Sequence, residues 1–155
     1  MTTFGGYTYI NPKYKNFEGN DNLQAGLSAD VNVLKYRSKH NGKIDMQFDY
    51  KGFSFGTSFI KSSHMINIDA VLEGRGFEFA QNPDILGIKA YRQANNNGWQ
   101  RLDLRASYRY NEYKLSFLVS NIGNMEYTIR PALLEAPRNY SLRFDYVFDW
   151  KPSSQ

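Results

Sequence analysis

The chain has no cysteine, which excludes a disulfide framework and any metal site built on thiolates. Its two histidines, His40 and His64, stand at no ligand-like spacing from the neighbouring carboxylates Asp69 and Glu73, so both read as loop residues at strand ends. No apolar run approaches the roughly 18 residues of a membrane-spanning helix, and no stretch of helical length repeats every 3.6 residues. No motif gathers Ser, His and Asp for nucleophilic catalysis. Gly74-Arg75-Gly76 lacks the Lys-Ser/Thr and the following helix of a phosphate-cradling loop. The expectation is a protein that is not an enzyme and carries no cofactor. The opening residues, MTTFGG, have neither the basic start nor the apolar core of a signal peptide.

Aromatic residues are what the sequence has in abundance. They make up 16% of the 155 residues, with 12 Tyr and 11 Phe, although mean hydropathy is low. A sheet that alternates apolar and polar along every strand reconciles the two. The length suits one domain, and a net charge of +4 permits an anionic partner without demanding one.

The alternation is explicit. In KIDMQFDY (43–50), Ile44, Met46, Phe48 and Tyr50 share one face, and Lys43, Asp45, Gln47 and Asp49 the other. Lys51-Gly52 turns the chain into FSFGTSFIK (53–61), a hairpin signature. WQRLDLRASYRY (99–110) puts Leu102, Leu104, Ala106, Tyr108 and Tyr110 opposite Arg101, Asp103, Arg105 and Arg109. Asn111-Glu112 then leads into YKLSFLVSNI (113–122). TFGGYTYIN (3–11) opens the chain. Near its end Tyr140, Leu142, Phe144, Tyr146 and Phe148 alternate with Ser141, Arg143, Asp145 and Val147. The reading is an all-β antiparallel sheet of about six strands.

Tight turns (51–52, 111–112) alternate with long segments (12–39, 62–98, 123–137). Several strands span 9–11 residues and have aromatic ends, as in an up-and-down transmembrane β-barrel with short turns on one side and long loops on the other. Lipid would then cover the aromatic face. Arg105, near the middle of its strand, would cost about 2–4 kcal/mol if turned to lipid. A one-residue slip would expose its charged neighbours as well. Arg101, Asp103, Arg105, Arg109, Lys114, Arg143 and Asp145 are therefore expected to face the lumen, paired among themselves or with whatever fills the barrel. KGFSFGTSF (51–59) partly matches an aromatic RNA-binding strand, but no helices to back such a sheet are legible, so nucleic acid is not an expected partner.

The segment LDLRASYRYNEYKLSFLVSNIGNMEYTIRPALLEAPRNYSLRFDYVF resembles the C-terminal end of TonB-dependent outer-membrane receptors. The resemblance rests on Asn-x-x-Asn-x-x-Tyr (Asn121, Asn124, Tyr127), on Pro137 and Arg138 followed by Tyr140, and on the closing Phe144, Tyr146 and Phe148. GYTYINP (6–12) and LKYRSKH (34–40) are similar to parts of the same region. The resemblance implies that residues 1–148 are the C-terminal portion of a plugged barrel, with 149–155 a short polar tail. It implies that the strand carrying Tyr140, Leu142, Phe144, Tyr146 and Phe148 is the signal read by the barrel-assembly machinery. It also implies a Gram-negative outer membrane, with lipid as a partner, and contact with TonB only through a missing N-terminal barrel and plug portion. The function expected is wall and external loops for uptake of a siderophore, vitamin, glycan or peptide, with no transport by this piece alone. The alternative is a small soluble lipocalin-like β-barrel that binds an apolar ligand and buries Leu104, Phe117 and Phe144.

Overall fold

The structure is a computed structural model that describes residues 1–75, 84, 86–130 and 133–148. Its strands are β1 (Thr2–Tyr9), β2 (His40–Tyr50), β3 (Phe53–Ser62), β4 (Trp99–Tyr110), β5 (Tyr113–Ser120), β6 (Thr128–Arg130), β7 (Leu133–Leu134) and β8 (Asn139–Tyr146). Two short helices, α1 (Asp21–Ala25) and α2 (Ile88–Ala94), lie in the long connections. No helix among the described residues is long and apolar enough to cross a membrane, which bears on helices alone.

Six strands form one antiparallel sheet in the order β1-β2-β3-β4-β5-β8, while β6 and β7 form a separate small ribbon. The sheet is open, with β1 and β8 as its edges. The expected all-β antiparallel architecture is present; closure into a barrel is not. The turn between β2 and β3 takes positive φ at both Lys51 (45°) and Gly52 (84°), the geometry that matches the right-handed twist of a two-residue hairpin. A Cβ on Gly52 would also sit 2.6 Å from the Arg109 carbonyl. The β4–β5 turn uses Asn111, at φ 51°.

Register gathers most aromatic residues on one face and most charged residues on the other, with Phe4, Ile60, Trp99 and Leu118 as apolar residues on the charged side. One row runs Phe48–Phe55–Ala106–Phe117–Leu142, and the next Tyr50–Phe53–Tyr108–Leu115–Phe144. The opposite face carries Asp49–Ser54–Ser107–Ser116–Arg143. Coverage over the middle of the sheet is inverted relative to a water-soluble sheet, while β1 is exposed on both faces and β8 on nearly all of both. Phe55 is 51% exposed, Leu142 71% and Phe144 65%, whereas Ser58 and Ser62 on the polar face are 8% and 4% exposed.

The apolar core lies in the loops rather than against the sheet. Leu27, Val33, Ile68 and Ala70 are buried there, where the 10–39 and 63–75 segments meet. Asn67, fully buried, joins them. Its side chain donates to the carbonyls of Val31 (2.8 Å) and Val33 (2.9 Å) and accepts from the amide of Ala29 (2.9 Å). The backbone adds Tyr36 N to Asn67 O and Ser28 N to Ile68 O. The long segments lack hydrophobic periodicity because side-chain and backbone hydrogen bonds between distant residues, not a repeating face, order them.

Two expectations require adjustment. β8 ends at Tyr146, so Phe148 is not part of the closing strand. The Val147 amide bonds to the carbonyl of Glu112 in the turn, and beyond that turn β5 offers nothing to pair with. Phe148 instead packs edge-on against Tyr146, 4.5 Å between ring centres. Trp99 also departs from the aromatic-end pattern, because its register opposite Ser62 puts it on the polar face with Arg101. The proposed tail, 149–155, lies outside the described residues.

Asn67→Ala leaves the buried Val33 carbonyl and the part-buried Val31 carbonyl and Ala29 amide without their partner, a loss of about 1–3 kcal/mol for each group that water cannot reach. The expected result is faster hydrogen exchange at Ala29 and Tyr36 with unchanged protection in β3 and β4. Equal loss of protection in the sheet would show that the loops and the sheet unfold as one unit.

Candidate functional site

Two arrangements carry polar chemistry: the charged face of the sheet and a pocket at its long-loop end. On the charged face Arg105 reaches from β4 across β3 to Asp45 on β2. It makes a two-pronged ion pair, Nη2 to Oδ1 at 2.6 Å and Nη1 to Oδ2 at 3.1 Å. The crossing is possible because Gly56 stands directly opposite Arg105. A Cβ at Gly56 would come within 2.4 Å of Nε and 2.9 Å of Cγ of Arg105. Paired, two-pronged guanidinium–carboxylate geometry fixes direction as well as charge.

The other charges predicted for the lumen share this face, but they are not all paired. Arg101 bonds Asp103 at 3.0 Å, and Arg143 bonds Asp145 at 2.7 Å, each within its own strand. Lys114 stands opposite both Arg109 and Asp145 in register. Neither Arg109 nor Lys114 forms an ion pair among the described residues. That leaves a basic spot beside the short turns.

The residues of the Asn-x-x-Asn-x-x-Tyr pattern converge. Asn121 and Asn124 both take left-handed backbone, φ 52° and 49°, a conformation asparagine tolerates better than most residues. The buried Asn121 side chain accepts from the Met125 amide and donates to its carbonyl, both at 2.8 Å, and reaches the Ala136 carbonyl at 3.4 Å. Its own amide donates to Asp103 at 2.8 Å. Asn124 accepts from the Arg138 amide at 2.9 Å, and the Pro137 carbonyl accepts from Asn139 at 3.3 Å. Tyr127, buried, stacks on Trp99 with ring centres 4.7 Å apart, and its hydroxyl accepts from Arg101 at 3.1 Å. Together these contacts fasten the β5–β8 connection to the wall beside Asp103 and aim β8 back along β5.

The pocket, about 380 Å³, opens between the 63–65 and 86–99 segments and the β6–β7 ribbon. Trp99 and Tyr127 form part of its lining, α2 supplies Ile88, Tyr91 and Asn95, and Leu134 faces them from β7. Arg92 at its side is engaged through two of its three nitrogens. Nε pairs with Glu73 at 2.5 Å, and Nη2 donates to the carbonyls of Met65 (2.7 Å) and Ile66 (3.1 Å). Burial, helped by the positive Arg92, pushes the His64 imidazole below its ordinary value. Burial likewise raises the Tyr91 hydroxyl.

The two histidines answer to different neighbours. His40 accepts or donates at 2.6 Å with the Tyr7 hydroxyl, while His64 lines the pocket. Asp69 pairs with Lys35 at 2.6 Å and also with the Tyr36 hydroxyl. No group of three or more His, Asp or Glu converges among the described residues. In the Gly-Arg-Gly segment, Gly74 ends the short 3-10 turn Ala70–Glu73 in left-handed conformation. Arg75 bonds Asp30 at 2.9 Å, and Gly76 lies outside the described residues. The pocket was not legible in the sequence, since its lining comes from three separate connections. The one available cue was the cluster of Trp99, Tyr127 and Tyr91 at segment ends.

Neither the family models nor the curated proteins compared with the chain give a match.

Because the folded His64 is held below its ordinary value of 6.5, the unfolded chain binds the extra proton first as pH falls. The histidine's contribution is fully present above 6.5 and is lost as pH drops toward the lowered folded value. The expected outcome is pH-dependent loosening of the pocket, read as lower protection factors of the Tyr91 and Asn95 amides at acid pH, after division by the intrinsic exchange rate at each pH. His64→Phe should flatten that dependence.

Proposed function

We propose that this chain is the C-terminal wall segment of a TonB-dependent outer-membrane receptor, with its aromatic face against lipid and its charged face toward the lumen. One observation carries the reading: in the inner strands β2–β5 the aromatic face is exposed, while Asp45, Ser58, Ser62, Asp103, Arg105 and Ser116 on the other face are buried or half-buried. In water an exposed array of Phe48, Phe55, Phe117, Leu142 and Phe144 is a liability. In a bilayer it is the required outer surface of a barrel. The convergence of Asn121, Asn124, Tyr127, Pro137 and Arg138 supports the resemblance to this family, because it gives those residues a joint task at the last hairpin.

The open edges at β1 and β8 need partners, since unpaired strand backbone does not persist in hydrocarbon. In this reading the N-terminal barrel portion pairs with both edges and closes the wall. The barrel-assembly machinery recognises β8, and the plug and TonB act from the N-terminal portion. The segment supplies paired charges to the lumen and long loops to the outside. It performs no chemistry and needs no cofactor. A lipocalin-like barrel requires Phe117 and Phe144 inside; here they are 44% and 65% exposed.

Phe117 and Ser116 are neighbours on opposite faces of β5. Phe117→Arg is expected to lower folding into bilayers by about 2–4 kcal/mol, and Ser116→Arg by far less. In cells producing the protein, the first variant should be depleted from the outer-membrane fraction and lose heat-dependent gel mobility, and the second should keep both. Equal behaviour of the two variants, or recovery of the unaltered chain as a soluble monomer, would overturn the proposal.

A further inference from the structure

The loop-end pocket has a chemical character that uptake by the barrel does not determine. Its volume, about 380 Å³, falls in the range of small-molecule sites, about 300–1,000 Å³. Trp99 and Tyr127 offer flat aromatic surface, held in place by their mutual stack and by the Arg101 bond to the Tyr127 hydroxyl. Ile88, Met65 and Leu134 complete an apolar enclosure, and the hydroxyl of Tyr91 is occupied by the Glu126 carbonyl at 3.4 Å.

The charge inventory is more selective than the shape. Among the described lining residues Arg92 is the one Lys or Arg side chain, and its Nε and Nη2 are engaged by Glu73 and two backbone carbonyls. His64 is held toward its neutral form by burial. The remaining charge among the described lining residues is the carboxylate of Glu126, an exposed residue with no ion pair among the described residues. Among the described lining residues an anionic ligand therefore finds no unpaired cation and meets a repelling carboxylate. A ligand with an ammonium group finds a partner in Glu126 and, on the aromatic side, the attraction of Trp and Tyr rings for cations.

We propose that this pocket binds a small aromatic amine, its rings against Trp99 and Tyr127 and its ammonium group at Glu126. The pocket is built wholly from the long-loop end, so the inference holds whether or not lipid covers the sheet.

Isothermal titration of the full chain in detergent with tryptamine, indole and indole-3-acetate tests it, with amide protection in β2–β5 confirming a folded sheet. Tryptamine should bind best and indole-3-acetate worst, the two separated by about tenfold or more. Glu126→Gln should bring tryptamine down to the level of indole. Leu134 is 60% exposed, so Leu134→Trp can occupy the pocket without disturbing a core, and it should weaken all binding by about tenfold. Indole-3-acetate binding as well as tryptamine, full binding by Leu134→Trp, or no binding by a chain with a protected sheet would each overturn the proposal. Binding by a soluble, monomeric chain would keep the pocket and remove the membrane reading; insertion without binding would do the reverse.

Discussion

Arg105 can reach Asp45 because Gly56, standing between them on β3, has no side chain. That crossing ties three adjacent strands into one register and commits their charged residues to one face. With a side-chain period of two, the commitment passes to every strand in the sheet. Once Arg105 is on one side, Phe55, Ala106 and Phe117 must be on the other. The inverted coverage follows from it, with small and charged residues shielding one another and aromatics left outward. A valine at position 56 would strike at that arrangement more directly than the loss of any exposed aromatic.

The long connections obey a different rule. They are held by buried asparagines rather than by apolar faces. Asn67 joins the first two loops, and Asn121 joins the β5 end to the approach of β8. A buried amide is tolerated only when its donors and acceptors are met, and both side chains meet theirs with backbone groups. Each thereby specifies one loop conformation. The loop end is thus a small folded unit with a nearly buried ion pair, Arg92–Glu73, and a pocket whose aromatic lining rests on the charged wall through Arg101. Loops that merely capped strand ends would leave no enclosed space.

Much of the sheet was legible because strand alternation is local. The order KIDMQFDY–turn–FSFGTSFIK fixes a hairpin without reference to the rest of the chain. The strand limits were less legible: β2 starts at His40, before clear alternation begins, and β8 stops at Tyr146 because its partner does. The loops were not legible. Leu27, Val33 and Ile68 show no common period, and the hydrogen bonds of Asn67 span more than thirty residues of sequence. Asn121, Asn124 and Tyr127 stood out only through a resemblance; their physical task became clear from where Met125, Arg138, Arg101 and Trp99 lie. Leu118 is an instructive exception, an apolar residue that register puts opposite Arg105 on the polar face.

That exception makes the central claim directly measurable. The chain has no native cysteine, so spin labels can be attached one at a time at positions 114–118 in the membrane-bound protein. Their collision rates with oxygen and with a water-soluble nickel chelate separate lipid from water. The account predicts that labels at 115 and 117 meet oxygen, while those at 114, 116 and 118 favour the chelate despite the apolar residue native to 118. Labels at 115 and 117 shielded from both reagents, or reached by the chelate, would contradict it.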